Sequence, residues 1–142
     1  MIKITDRVRF VETDLMAVVH HSNYLRWFEM GRVAYLRAAG VDLNDLRAAG
    51  YLFPITDVQC KYKQSAYFDD EYEVRTTLTA FSRAKMVFSY EVVRLKDKVV
   101  LATGTSQNVF TALTGKIARL PAEYFNKINK AYEEEKEQRE EC

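Results

Sequence analysis

The sequence predicts an α+β fold in which one long helix lies against an antiparallel sheet of about five strands, with a further helix at the C-terminus. Three observations support this prediction. A hydrophobic pattern of helical period covers residues 23–39. After Pro54 the period changes to two and persists through four successive segments, whose short connections are typical of antiparallel pairing. Residues 122–139 return to a helical period.

The N-terminal third holds the first strand and the long helix. Residues 3–11 place apolar side chains among polar neighbours, as a half-buried strand does. Ser22 or Asn23 is the expected N-cap of the long helix, and Gly40 is its expected stop. A short second helix is predicted over residues 43–49. The apolar side of the long helix consists of Tyr24, Trp27, Phe28, Gly31, Ala34, Tyr35, Ala38 and Ala39.

The remaining elements follow from alternation and from one closing helix. The predicted inward faces of three strands are Val58, Cys60 and Tyr62; then Tyr72, Val74, Thr76, Leu78 and Ala80; then Phe88, Tyr90 and Val92. A last strand is expected within residues 99–111. The C-terminal helix, residues 122–139, carries the apolar stripe Tyr124, Phe125, Ile128 and Tyr132.

Composition limits the classes of protein to which the chain can belong. Its 142 residues, 48% of them hydrophobic, predict one domain spanning residues 1–142 that needs no disulfide or metal for stability. The net charge of +1 argues against a general nucleic-acid binder. Cys60 and Cys142 stand in no metal-ligand spacing, and we expect a reducing, cytoplasmic location. No apolar stretch is long enough for a membrane span.

The segment FVETDLMAVVHHSNYLRWFEMGR, residues 10–32, carries the most specific pattern. It resembles the opening motif of the 4-hydroxybenzoyl-CoA thioesterase family, including the Tol-Pal-associated acyl-CoA thioesterases. Further similarity lies at Pro54 and in SAYFDDEYEV, residues 65–74. The resemblance implies the hotdog fold, hydrolysis of an acyl-CoA to a carboxylic acid and free CoA, no cofactor beyond that substrate, and a homodimer or homotetramer. One departure is Ala17, where family members commonly have Gly.

Thioester hydrolysis needs a group that attacks the carbonyl or activates water, and a donor for the oxyanion that develops. The resemblance assigns the first role to Asp14, as nucleophile or as general base. It assigns the second role to the backbone N–H of His21, at the start of the long helix. Unpaired N–H groups and the helix dipole favour negative charge at such a helix start.

Other candidates have both a site role and a structural one. Asn23 is either an N-cap or a substrate contact, and Glu29 is either a second-choice catalytic carboxylate or an ion-pair partner of Arg26 or Arg32. The adjacent histidines, His20 and His21, lack the spacing of a metal site. Substrate contacts are predicted for Val19, Tyr24 and Tyr62, and the alternative for Tyr24 is core packing. Arg83 and Lys85 either contact the CoA phosphates or belong to a solvated turn.

Two alternative functions keep the same fold. One is hydrolysis of acyl carrier protein thioesters, in which a protein surface replaces the nucleotide of CoA. The other is a non-catalytic module that binds acyl-CoA or acyl carrier protein, in which Asp14 only holds the loop. A hotdog dehydratase is disfavoured because the sequence lacks a His followed by a Phe-Pro-Gly stretch.

Overall fold

The computed structural model describes residues 1–141, so Cys142 lies outside the described residues. Its main sheet is antiparallel and has five strands: β1 (Ile2–Arg7), β3 (Ile55–Tyr62), β4 (Glu71–Phe81), β5 (Lys85–Arg94) and β6 (Val100–Val109). Their spatial order is β1-β4-β5-β6-β3. A separate small pair joins β2 (Tyr51–Leu52) to β7 (Thr111–Ala112). The α+β prediction is confirmed, whereas the small pair was not predicted.

Three α-helices accompany the sheet. They are α1 (Ser22–Ala38), α2 (Leu43–Ala48) and α3 (Ala122–Glu141). Each lies within two residues of its predicted bounds, because the apolar period marks a helix well and its ends poorly. No helix in residues 1–141 is long and apolar enough to cross a membrane.

The core lies between α1 and the inner face of the sheet. Trp27 stacks on Tyr72 of β4 with 4.1 Å between ring centroids, and Phe28 stacks on Tyr90 of β5 at 4.4 Å. All four side chains are buried. Burial of each contributes roughly 2 kcal/mol, so these aromatic pairs fix the position of α1 across the strands.

Gly31 sets how closely α1 approaches the sheet. A Cβ at this position would overlap Thr76 Oγ1 and would lie 3.3 Å from Val74 Cγ1. The helix can therefore lie directly over β4 only because residue 31 has no side chain.

Two strand predictions need correction. The segment 3–11 is not one strand, because β1 ends at Arg7 and residues Phe10–Glu12 form a 3₁₀ helix. Phe10 is consequently 75% exposed, and Glu12 turns inward instead. Strand β3 buries neither Val58 nor Tyr62, because it is an edge strand that pairs only with β6 among the described elements.

The C-terminal helix packs along the sheet through its predicted stripe. Ile128 is 1% exposed, and Phe125 stacks on Phe81 with 5.2 Å between ring centroids. Tyr132 also contacts Phe81. The helix therefore extends the core at the turn between β4 and β5.

Candidate functional site

A cleft of about 250 Å³ brings together five of the predicted site residues. It lies where the loop that precedes α1 meets the end of β3. The wall also includes Met16, Val18, Lys63, Gln64 and Ser65. The predicted residues that line it are Asp14, Val19, His21, Tyr24 and Tyr62.

The loop that carries Asp14 is closed by hydrogen bonds of its own. The N–H of Asp14 donates to the carbonyl of Val18 at 2.9 Å, and the N–H of Met16 donates to Asp14 Oδ1 at 2.8 Å. The N–H of Ala17 donates to the Asp14 carbonyl at 3.0 Å. These bonds hold the Asp14 carboxylate at a fixed place in the cleft wall and engage one of its two oxygens.

Ala17 adopts a left-handed backbone conformation, with φ at 63°. Glycine adopts this region at no steric cost, whereas an L-residue with a Cβ is disfavoured there by roughly 1–2 kcal/mol. The conformation accounts for the glycine that is common at this position in the family that the motif resembles. This chain adopts the same left-handed turn with alanine instead of glycine.

Glu12 supports the loop from inside, and sequence reasoning missed it. Its side chain is buried, with 4% exposure. The Trp27 indole N–H donates to Glu12 Oε2 at 2.9 Å, and the N–H of Arg9 donates to Oε1 at 2.8 Å. Buried carboxylates need such partners. The available signal was an acidic residue inside the motif itself, between Val11 and Thr13.

Asn23 is not the N-cap of α1, and neither is Ser22. The N-cap is His21, and no side chain caps the helix there. The prediction was wrong because Asn23 points inward: it is 8% exposed, and its Nδ2 donates to the carbonyls of Glu12 at 3.0 Å and His20 at 3.3 Å. Ser22 Oγ instead bonds His20 Nδ1 at 2.8 Å.

The backbone N–H groups at the start of α1 are engaged, with one exception. The N–H of His20 donates to the carbonyl of Glu12 at 2.8 Å, and the N–H of Asn23 donates to the carbonyl of His20 at 3.0 Å. That of Ser22 donates to His20 Nδ1 at 3.2 Å. The N–H of His21 donates to no group within residues 1–141. It is therefore available to a ligand in the cleft that His21 lines.

Two tyrosines complete the cleft from α1 and β3. The rings of Tyr24 and Tyr62 meet edge to face with 5.2 Å between centroids. The Tyr62 hydroxyl donates to the His21 carbonyl at 3.1 Å, which joins β3 to the helix start. Burial raises the pKa of Tyr24 to about 12, so its hydroxyl stays neutral at physiological pH.

Besides Asn23, three further predicted residues do not line this cleft. Glu29 is exposed on α1 and forms no ion pair with Arg26 or Arg32 in the described part of the chain. Arg83 donates twice to the carbonyl of Leu120, at 2.9 and 2.8 Å. Lys85 begins β5 and is exposed.

The adjacent histidines, His20 and His21, lie at the start of α1 without a metal-ligand cluster in the described residues. Among residues 1–141 no group of three or more His, Cys, Asp or Glu side chains is arranged to hold a metal ion. The rings of His20 and His21 lie against each other, with 4.1 Å between their centroids. His20 Nδ1 is occupied by Ser22.

Comparison with known proteins places this chain in a family. The model of the thioesterase-like superfamily matches residues 8–128. The acyl-CoA thioester hydrolase YbgC of Escherichia coli is 27% identical over 94 residues, which cover 66% of this chain and 70% of that protein.

Solved structures agree with the family match. A hypothetical protein from Thermus thermophilus superposes with a TM-score of 0.85 at 32% identity, covering 91% of this chain and 98% of that one. The DHNA-CoA thioesterase of Staphylococcus aureus superposes with a TM-score of 0.87 at 29% identity, and the match covers 98% of this chain and 93% of that enzyme's chain. Both the hotdog fold and the family resemblance predicted from the motif are confirmed. The chain therefore belongs to the thioesterase-like superfamily and is a thioester hydrolase.

Proposed function

We propose that this single-domain protein hydrolyses acyl-CoA to a carboxylic acid and free CoA in the Asp14 cleft, without a further cofactor. One observation carries the proposal. The cleft holds a carboxylate and lies at a helix start whose His21 N–H has no partner within residues 1–141. These are the two groups that thioester hydrolysis requires.

Asp14 is proposed as the group that starts the reaction. As a nucleophile, its carboxylate attacks the thioester carbon, CoA leaves as the thiolate and takes up a proton, and water then hydrolyses the mixed anhydride. As a general base, Asp14 takes a proton from water, whose oxygen forms the new bond to carbon; the C–S bond then breaks, and the CoA thiolate leaves and takes up that proton. One oxygen of the carboxylate is held by the Met16 N–H, which leaves the other for either role.

The backbone N–H of His21 is proposed as the oxyanion donor. It lies at the N-terminus of α1, where the helix dipole adds to its attraction for negative charge. Loss of one such donor typically lowers turnover by roughly 100- to 1,000-fold. In this assignment the His21 imidazole does not take part in the reaction.

The remaining substrate contacts extend the prediction along the CoA thioester. Val19, Tyr24 and Tyr62 line the cleft and are proposed to contact the acyl end. Arg83 and Lys85, at the turn between β4 and β5, are proposed to contact the CoA phosphates. Arg83 would have to exchange its bonds to Leu120 for that purpose. Asn23 and Glu29 are not assigned substrate contacts here.

Assembly as a homodimer or homotetramer is proposed on the free edge of β3. Two large apolar side chains of this strand, Ile55 and Val58, are 40% and 39% exposed. An unpaired strand edge with exposed apolar residues favours pairing with another copy of the chain.

Thiol release from a panel of short, long and aromatic acyl-CoAs tests the activity, with Asp14→Asn as the critical variant. We expect turnover in the wild type and a loss of at least about 100-fold in Asp14→Asn. Asp6→Asn is the matched control, since Asp6 is an exposed carboxylate on β1 that does not line the cleft. Equal turnover in Asp14→Asn and wild type would remove Asp14 from the mechanism. Tight acyl-CoA binding without hydrolysis in the wild type would contradict the proposed activity.

Oxygen-18 labelling tests attack by Asp14 directly. If Asp14 is the nucleophile and water attacks the Asp14 carbonyl of the anhydride, multiple turnovers in labelled water place the label in its carboxylate, where peptide mass analysis finds it within residues 10–32. A general base exchanges no oxygen with water, so label in this peptide would exclude that role. Attack of water at the acyl carbon places the label in the product acid in either mechanism.

A further inference from the structure

We propose that Asn23 is a positioning residue that orients the His20–His21 peptide so that its N–H faces the thioester carbonyl. The proposal rests on the proposed function, because it concerns the donor assigned there. It gives Asn23 a role different from both an N-cap and a substrate contact.

Asn23 donates three hydrogen bonds to backbone carbonyls. Its side-chain amide has two hydrogens, and Nδ2 uses them to bridge two backbone carbonyls, Glu12 O at 3.0 Å and His20 O at 3.3 Å. The backbone N–H of Asn23 donates to the same His20 carbonyl at 3.0 Å. The His20 carbonyl therefore receives two hydrogen bonds from one residue.

The His20–His21 peptide is trans, and this geometry links the direction of its carbonyl to that of its N–H. The peptide bonds within residues 1–141 are trans, so the C=O of His20 and the N–H of His21 point in opposite directions. Two bonds that hold the carbonyl toward Asn23 consequently direct the His21 N–H away from the first turn of α1. Hydrogen bonds accepted by a peptide carbonyl also polarise that peptide and strengthen its N–H as a donor.

Asn23 is itself anchored in the interior of the protein. Asn23 is 8% exposed, and the Glu12 carbonyl that it bridges also accepts the His20 N–H at 2.8 Å. The Glu12 side chain is in turn fixed by the Trp27 indole. The orientation of the His21 N–H is thus determined from inside the protein, through a chain of hydrogen bonds that does not include the substrate.

Kinetics on the best acyl-CoA of the panel gives the first test, with Asn23→Ala and Asn23→Ser. We expect Asn23→Ala to lower kcat by roughly 10- to 100-fold with little change in KM, because a misaligned donor loses much of its transition-state stabilisation. Asn23→Ser retains one hydroxyl donor, so its kcat should lie between those of Asn23→Ala and wild type.

Asn108→Ala is the matched control for a purely structural effect. Asn108 is also buried, at 1% exposure, and its Nδ2 donates to the carbonyl of Phe53 at 2.7 Å, outside the cleft. Both alanine variants should lose stability in urea unfolding, whereas only Asn23→Ala should lose kcat. Equal losses of kcat in the two variants, at temperatures where both are folded, would overturn the proposal.

Vibrational spectroscopy of bound substrate supplies a readout that a structural role would not change. We expect the Asp14→Asn variant to hold substrate long enough for measurement, and in this background the thioester carbonyl stretch should shift to lower frequency on binding. Adding Asn23→Ala should return the stretch toward the value of free acyl-CoA. If the bound carbonyl stretch is the same in the double variant as in Asp14→Asn alone, the proposal is contradicted, even if Asn23→Ala lowers kcat.

The outcomes separate this proposal from the proposed function. If no acyl-CoA is hydrolysed by the wild type, the proposed function fails. If the wild type is active and Asp14→Asn is inactive, yet Asn23→Ala keeps full kcat, only the positioning role of Asn23 fails.

Discussion

At the scale of single residues, the candidate site depends on backbone groups as much as on side chains. Asp14 supplies a carboxylate, but the loop that presents it needs the left-handed turn at Ala17. The direction of the His21 N–H, the proposed oxyanion donor, depends on where Asn23 holds the His20 carbonyl of the same peptide. Substitutions near this site should therefore be judged by their effect on peptide orientation as well as on side-chain chemistry.

Replacing Ala17 with Gly should stabilise the protein. The left-handed conformation disfavours alanine by roughly 1–2 kcal/mol, and the greater freedom of glycine in the unfolded chain offsets about 0.4–1 kcal/mol of that gain. We expect the free energy of unfolding in urea to rise by about 0.5–1 kcal/mol. Ala34→Gly, inside α1, is the control and should lower it by a similar amount. A destabilised Ala17→Gly protein would contradict the backbone assignment.

Tyr24 should make stability depend on alkaline pH. Burial raises the pKa of Tyr24 from 10.0 to about 12, so the folded state binds this proton more tightly than the unfolded state. This contribution is complete below pH 10.0 and is lost as pH rises through about 12. Between these pH values the free energy of unfolding in urea should fall less in Tyr24→Phe than in wild type. Tyr67→Phe, at an exposed tyrosine, should retain the wild-type fall, and the opposite result would refute the argument.

At the scale of elements, the crossing of α1 over β4 is the contact that positions the site. The helix start that carries His21 is fixed because the rest of α1 is packed by Trp27, Phe28 and Gly31 against β4 and β5. A shift of α1 would move the donor relative to Asp14, which sits on a separate loop.

Gly31→Ala should therefore destabilise the protein, by roughly 1–3 kcal/mol, because the new methyl group overlaps Thr76 Oγ1. Thr76 Oγ1 has no hydrogen-bond partner within the described residues, so it can be removed without breaking such a bond. Combining Gly31→Ala with Thr76→Ala should recover part of the loss in a double-mutant cycle. Strict additivity of the two substitutions would show that this contact does not set the distance between helix and sheet.

At the scale of the whole molecule, the main sheet has two edge strands of different character. The β3 edge exposes Ile55 and Val58, whereas β1 exposes mainly polar side chains such as Lys3 and Thr5. This asymmetry favours β3 as the surface on which two copies meet. It also places Tyr62, a residue of the cleft, on the same strand.

Light scattering should find at least twice the chain mass of 16.5 kDa. Val58→Lys should weaken association, because two lysines would face a desolvated interface. Thr5→Lys on β1 should leave the mass unchanged. If Thr5→Lys dissociates the protein while Val58→Lys does not, the copies meet at β1 instead. A monomeric wild type would exclude the proposed assembly altogether.

Much of this architecture could be predicted because buried elements carry strong periodic patterns. Trp27 and Phe28 on α1, and Tyr72 and Val74 on β4, are buried as their spacing indicated. The outcome for β3 was different, because alternation alone does not distinguish an inner strand from an edge strand. The pair β2 and β7 has two residues in each strand, too few to show any period.

The candidate site was accessible to sequence reasoning only through its motif. Asp14, His21, Val19, Tyr24 and Tyr62 line one cleft, and their roles there stay a prediction. Glu12 was missed and the N-cap role expected of Asn23 was wrong, because a polar residue beside a loop usually faces water. Their burial depends on carbonyls and an indole that meet only in the folded chain. Long-range hydrogen bonds of this kind leave no trace in local spacing.

The bond between Glu12 and Trp27 also makes the protein its own optical probe. The chain has one tryptophan, so its intrinsic tryptophan fluorescence arises from a single indole. That indole donates to a carboxylate two residues before Asp14 and stacks on Tyr72. Emission should therefore respond when substrate or a substitution disturbs the loop, and stopped-flow fluorescence can time such a change against product release without an attached label.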